Sequence, residues 1–84
     1  MIGVPPRLTF LSRTYCHLCD DMLAALEALR GDYAFTVETI DIDAEPVLLK
    51  LHDERVPVLL ADGEELCHYF LDEEKVREYL ARFR

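Results

Sequence analysis

Cys16 and Cys19 stand three positions apart in the segment SRTYCHLCD, residues 12–20. Two thiols at that spacing have three chemical uses: reversible disulfide exchange, half of a tetrahedral metal site, or service as small, inert core residues. Three cysteines scattered over 84 positions would give such a pair roughly one time in fourteen, so spacing alone does not choose among them. Position favours the first use. The pair lies where a short apolar segment gives way to a helical pattern, and a cysteine at a helix start meets unpaired N–H groups and the positive end of the macrodipole. Both favour a thiolate and lower the pKa of Cys16 from its reference of ~8.5. Arg13 is expected to add positive charge, and His17 to do the same when protonated or to donate a hydrogen bond when neutral. Asp20 and Asp21 oppose this from a solvated turn where screening is strong.

Cys19, one helical turn further on the same side, then has the place of a resolving thiol. A Cys16 thiolate would attack a substrate disulfide, and Cys19 would attack the mixed disulfide and release the reduced product. The metal alternative would recruit Cys67 and one of His17 or His68 to complete four ligands. "CH" at residues 67–68 lacks the second knuckle that structural zinc sites usually show. Cys67 and His68 are neighbours on an expected strand and should point to opposite faces, which makes Cys67 a half-buried structural thiol. His52 and His68 read as surface histidines.

The elements that must position these groups follow from periodicity. Arg7–Leu11 alternates as a strand. From Leu18, the apolar positions Leu18, Met22, Ala25, Leu26 and Leu29 fall at helical spacing and stop at Gly31. Residues 34–42 (AFTVETIDI) are β-branched and aromatic and predict a second strand. Asp43 is placed to cap a short helix with Pro46 in its first turn, an apolar stripe of Val47, Leu48 and Leu51, and an end near residues 52–54. Val56–Ala61 and Glu65–Phe70 flank Asp62-Gly63, the pair that two-residue hairpins prefer. Asp72 can cap a last helix whose apolar face is Val76, Tyr79, Leu80 and Phe83. The order strand, helix, strand, helix, strand, strand, helix predicts an α/β fold with a mixed four-stranded sheet and flanking helices.

Eighty-four residues with 51% hydrophobic content suit one small globular domain over residues 1–84, with no linker. The net charge of −8 repels phosphate backbones and anionic headgroups, so neither nucleic acid nor membrane is an expected partner. Apolar runs of a few residues fall far below the ~20 needed to span a bilayer, and Met1–Pro6 lacks the pattern of a signal peptide. A cytoplasmic location is therefore expected, where an odd set of three thiols forms no structural disulfide framework and any disulfide is transient.

The run SRTYCHLC resembles the active-site segment of glutaredoxins, in which a basic residue stands three before the first cysteine. Arg13, Thr14, Tyr15, Cys16 and Cys19 match it residue by residue. RVPVLLADGEEL resembles the family's Val-Pro segment, with Val56 and Pro57 in the matching places. The CHLC loop is most similar to small bacterial glutaredoxin-like proteins of the thioredoxin superfamily. The resemblance implies a thioredoxin-like β-α-β-α-β-β-α fold with a cis Val56-Pro57 bond beside Cys16 and the Val56 backbone open to a bound thiol substrate. It also implies a thiol-disulfide oxidoreductase with no tightly bound cofactor, acting on disulfide-containing small molecules or proteins. Glutathione is then a candidate co-substrate, and glutathione or a thioredoxin-type protein the candidate reductant.

Two departures stand out. His17-Leu18 replaces the family's Pro-Tyr, and CHYFLDEE stands where glutaredoxins carry a Gly-Gly segment and an acid that hold glutathione, leaving Asp72 to fill the acidic role. The same fold also supports a binding module, either holding an iron-sulfur cluster between two chains through Cys16 or keeping vestigial thiols.

Overall fold

A computed structural model describes residues 5–52 and 55–83. It contains a four-stranded sheet of β1 (Arg7–Ser12), β2 (Thr36–Asp41), β3 (Val58–Ala61) and β4 (Glu64–His68), with helices α1 (His17–Ala28), α2 (Pro46–His52) and α3 (Glu73–Ala81). The spatial order is β2-β1-β3-β4. β1 runs parallel to β2 and antiparallel to β3, and β3 runs antiparallel to β4. This is the expected mixed sheet. The central strand β1 must be apolar on both faces: Leu8 and Phe10 enter one core cluster and Leu11 the other.

The larger cluster joins Cys19, Met22 and Leu26 of α1 to Leu59, Leu66 and Cys67 of the hairpin and to Val76 and Leu80 of α3. The smaller one, Leu11, Ile42 and Val58, is covered by Leu48 and Leu49. Alternation along β3 explains the division, because Leu59 and Ala61 face α1 and α3 while Val58 and Leu60 face α2.

Several local expectations change, among them Phe83, which lies past the end of α3 and is 49% exposed instead of on its apolar face. α1 starts at His17 and buries Cys19, Met22 and Leu26, with Leu29 following in a 3₁₀ turn over Leu29–Gly31. Its buried stripe therefore includes the second cysteine, while Leu18 is half-buried and Ala25 exposed. β2 stops at Asp41, because Ile42 turns inward in a 3₁₀ turn over Ile42–Ala44 in which the Asp41 carboxylate accepts the Asp43 N–H at 2.9 Å. Asp43 thus caps no helix. α2 packs through Leu48 and Leu49, leaving Val47 72% and Leu51 63% exposed; residues 53–54, where its end was also expected, lie outside the described residues. Its packed face is one position off the expected stripe.

Asp62 (φ 51°) and Gly63 (φ 80°) both occupy the left-handed region that a two-residue type I′ hairpin requires. The hairpin register then slips. Ala61 pairs with Glu64 and Leu60 with Glu65, but Leu59 pairs with Cys67 and Val58 with His68, so Leu66 is an extra residue. This bulge buries the consecutive side chains of Leu66 and Cys67 and lets Glu65 and His68, three apart, meet at 2.8 Å. β4 ends two residues before the expected Phe70, at His68, and Tyr69 follows with φ 65°. Asp72 caps α3 as expected, its Oδ1 accepting the Lys75 N–H at 3.1 Å.

Candidate active site

Strand register gathers the reactive segments at one end of the sheet. Ser12 pairs with Asp41, Leu11 with Val58, and Val58 with His68. The loop after β1, the turn after β2, the segment before β3 and the exit of β4 therefore share that edge. Cys16, Asp43, Val56-Pro57 and Tyr69-Phe70 lie on those segments.

The loop from Arg13 to Tyr15 is tied down by acids of the neighbouring turn. Arg13 grips Asp43 with two nitrogens, Nη2–Oδ1 at 2.9 Å and Nε–Oδ2 at 3.3 Å, and Thr14 Oγ1 donates to Asp41 Oδ2 at 3.4 Å. Tyr15 then adopts φ 60°, uncommon for a bulky residue, and its side chain is fully exposed. Cys16 follows in extended backbone (φ −117°, ψ 106°) as the N-cap of α1. Its sulfur accepts the Cys19 N–H at 3.1 Å, and its carbonyl accepts the Asp20 N–H at 3.1 Å. A thiol here performs the task usually given to Ser or Asp, satisfying an otherwise orphaned donor of the first turn.

Cys16 and Cys19 are joined as a disulfide, with Cα atoms 5.1 Å apart. Cys16 is half-buried, whereas Cys19 is 4% exposed. An incoming sulfur can reach the first cysteine and not the second. His17 is exposed on the first turn beside Cys16. Arg13, expected to lend its charge to Cys16, is paired with Asp43, while Cys16 itself sits at the electropositive start of α1.

The Val56–Pro57 peptide bond is cis, and the Pro57 carbonyl accepts the Tyr69 N–H at 2.8 Å. Val56 is half-buried and packs on both core clusters, and Cys16 packs on the larger of them. Asp72 is at the start of α3, engaged in capping. Cys67 is buried and free of disulfide; burial pushes its thiol pKa up, against a smaller opposing effect of a backbone hydrogen bond from Asp72.

Three residues at this end were not expected there: Arg55, Glu65 and Asp43, the last read only as a helix cap. Arg55 directly precedes Val56, and its guanidinium pairs with Glu65 and approaches His68 Nδ1 at 3.5 Å. His68 Nδ1 also meets Glu65 Oε2 at 2.8 Å, so His68 is part of a charged cluster rather than a bare surface histidine. Burial alone would raise the Glu65 pKa, but hydrogen bonds from Arg55 and His68 outweigh it and hold the carboxyl low. No local motif marks these residues, because the β1–β2 register and the β4 bulge bring them together. His52 is half-buried, with its Nδ1 lacking a hydrogen-bond partner among the described residues. No group of three or more His, Cys, Asp or Glu side chains gathers to hold a metal ion among the described residues. No helix there is long and apolar enough to cross a membrane.

Comparison with known proteins agrees with this architecture. The family model described as a glutaredoxin-like domain (DUF836) matches residues 7–81. An uncharacterized protein of Mycobacterium bovis is 32% identical over 82 residues, covering 92% of this chain and 84% of that one. The solution structure of a Nitrosomonas europaea protein is 42% identical with a TM-score of 0.85, covering 93% of this chain and 94% of that chain. A Fasciola hepatica thioredoxin, 22% identical with a TM-score of 0.61 over 95% of this chain and 82% of its own, shares the fold. With its thioredoxin-like sheet, its paired cysteines at the head of α1 and a family match running from β1 to the end of α3, the chain belongs to the glutaredoxin-like domain family.

Proposed function

We propose that the protein is a thiol-disulfide oxidoreductase in which Cys16 is the nucleophile and Cys19 the resolving thiol. The observation that carries this reading is the Cys16 sulfur at the N-cap of α1, hydrogen-bonded by the Cys19 N–H and within bonding reach of the Cys19 sulfur. Reduced Cys16 loses its proton to solvent, and the helix start stabilises the thiolate. The thiolate attacks one sulfur of a substrate disulfide. A Cys16–substrate bond forms, the substrate S–S bond breaks, and the other substrate sulfur leaves as a thiolate that takes a proton from water. Cys19 then loses its proton and attacks the Cys16 sulfur. The Cys16–Cys19 bond closes and the second substrate thiol departs. Two electrons pass from the dithiol to the substrate, and a dithiol protein or two molecules of a small thiol return them.

Val56 backbone groups, just ahead of the paired residues of β3, serve as the contact for the substrate chain next to its sulfur. His17 favours the thiolate from the neighbouring position, and a reducing compartment such as the cytoplasm suits the chemistry. The test is a single turnover: pre-reduced protein freed of reductant is mixed with a disulfide-bridged peptide and quenched with an alkylating agent. Native protein should yield reduced peptide and an equal amount of Cys16–Cys19 disulfide. Cys16→Ser should yield neither, and Cys19→Ser should accumulate the mixed disulfide. Peptide left intact by the native dithiol would refute the redox assignment.

A further inference from the structure

The dithiol end of the sheet has an unusual balance of charge and apolar surface. Its arginines are engaged by the chain's own acids, Arg13 by Asp43 and Arg55 by Glu65, and His68 also touches Glu65. Several acids there lack such engagement. Asp20 and Asp21, in the opening turns of α1, and Glu74, in the first turn of α3, are exposed and form no ion pair among the described residues. Asp72 is exposed beside Glu74. Against these stand His17, exposed next to Cys16, and two exposed lysines without an ion pair among the described residues, Lys75 in the first turn of α3 and Lys50 on α2, so that the acids still outnumber the cations.

Aromatic surface is concentrated at the same end. Tyr15 is fully exposed immediately before the nucleophile, Phe70 is 68% exposed and Tyr69 38%. Tyr15 and Tyr69 both hold positive φ, at 60° and 65°, which turns the chain abruptly as it leaves β1 and β4. Large rings held out at the mouth of a reactive site are the usual anchors of protein recognition.

We infer that the physiological disulfide belongs to a polypeptide presenting basic and apolar residues beside its cysteine. Its apolar side chains rest on Tyr15, Tyr69 and Phe70, and its cations face Asp20, Asp21 and Glu74. The Arg13–Asp43 and Arg55–Glu65 pairs withhold the cations that an anionic disulfide such as oxidised glutathione would need. This rests on the dithiol exchange proposed above and assigns its substrate class. The charge pattern supplies the argument for the occupant: the whole chain carries −8, and acids without ion pairs among the described residues open α1, directly after Cys16, and α3, directly after the exit of β4 at the same end of the sheet.

The test is the same single turnover with three oxidants: a disulfide-bridged peptide flanked by Lys and Leu, its counterpart with Glu for Lys, and oxidised glutathione. The basic peptide should react about tenfold faster than the acidic one at low salt, the two rates converging as salt is raised. Oxidised glutathione should be no faster than the acidic peptide. The variant Asp43→Asn/Glu65→Gln, which removes the carboxylate charges paired with Arg13 and Arg55, should speed glutathione disulfide severalfold and narrow the peptide gap. Tyr69→Ser/Phe70→Ser should slow the basic peptide more than it slows hydroxyethyl disulfide. Equal rates for the two peptides, or glutathione disulfide as the fastest oxidant of the native chain, would overturn the substrate assignment while leaving the exchange chemistry standing. Failure of all three oxidants would overturn both. The native chain's salt dependence needs no variant, so misfolding of either double mutant leaves the central comparison intact.

Discussion

The backbone N–H of Cys19 points at the sulfur of Cys16 across 3.1 Å. One residue thus supplies both the sulfur that closes the disulfide and a hydrogen bond to the sulfur that opens it. If the reduced protein works as proposed, the same donor faces a Cys16 thiolate, the form it stabilises best.

Cys16 should therefore be the most acidic thiol of the reduced chain. Initial rates of iodoacetamide labelling in a Cys67→Ser background, followed by peptide mass mapping, should give Cys16 an apparent pKa below ~8.5. A midpoint at or above that reference would show that the helix start does not activate it. Cys19, at 4% exposure, should label later than Cys16.

Cys67 should behave as a core atom. Its 8% exposure and raised pKa predict no labelling of the native protein near neutral pH and full labelling in denaturant. Burial favours the neutral thiol, so its effect on stability is fully present below the ordinary value of 9.0 and fades as pH rises through the higher folded value. Cys67→Ala should leave the exchange rate unchanged and lower stability by about 1 kcal/mol through lost apolar contact.

Two backbone devices carry measurable stability. Asp72→Ala removes the carboxylate that accepts the Lys75 N–H and should cost about 1 kcal/mol in urea unfolding. Gly63→Ala meets no atom within 4 Å of the new Cβ but must hold φ near 80°, and should cost a similar ~1 kcal/mol. A neutral Gly63→Ala would mean that the hairpin relaxes to another turn.

Glu65 links the dithiol end to acid. Its carboxyl titrates below the ordinary value of 4.5, so the contribution is fully present above about that pH and is lost as pH falls through the lower folded value. The melting temperature of native protein should thus exceed that of Glu65→Gln at about pH 6, with the gap closing towards about pH 3. A gap that widens on acidification would contradict the pairing with Arg55 and His68.

Much of this was legible in the residues themselves. The alternation of Leu8 and Phe10, the Asp62-Gly63 turn and the Asp72 cap are local signals, and each fixed its element to within a few positions. The two cysteines were also local, since a thiol pair between a strand and a helix needs no distant information to suggest exchange. What escaped depended on contacts between distant segments. The end of β2 was overextended because Ile42 is as β-prone as its neighbours and turns inward only when the core next to Leu11 and Val58 is available. α2 showed the wrong face because a seven-residue helix has too few turns for its pattern to specify a stripe. The acidic partners of Arg13 and Arg55 lie 30 and 10 positions away and become neighbours only through strand register and the bulge.

The slip at Leu66 reaches beyond the hairpin. Among the described residues β4 is an outer strand of the sheet, and a flat border of unpaired amides would recruit strands from other molecules. The extra residue bends that border after only two regular pairs, and exposed Glu64 places negative charge along it. The irregularity that assembles the Arg55–Glu65–His68 cluster thereby also blunts the border against fibrous self-association.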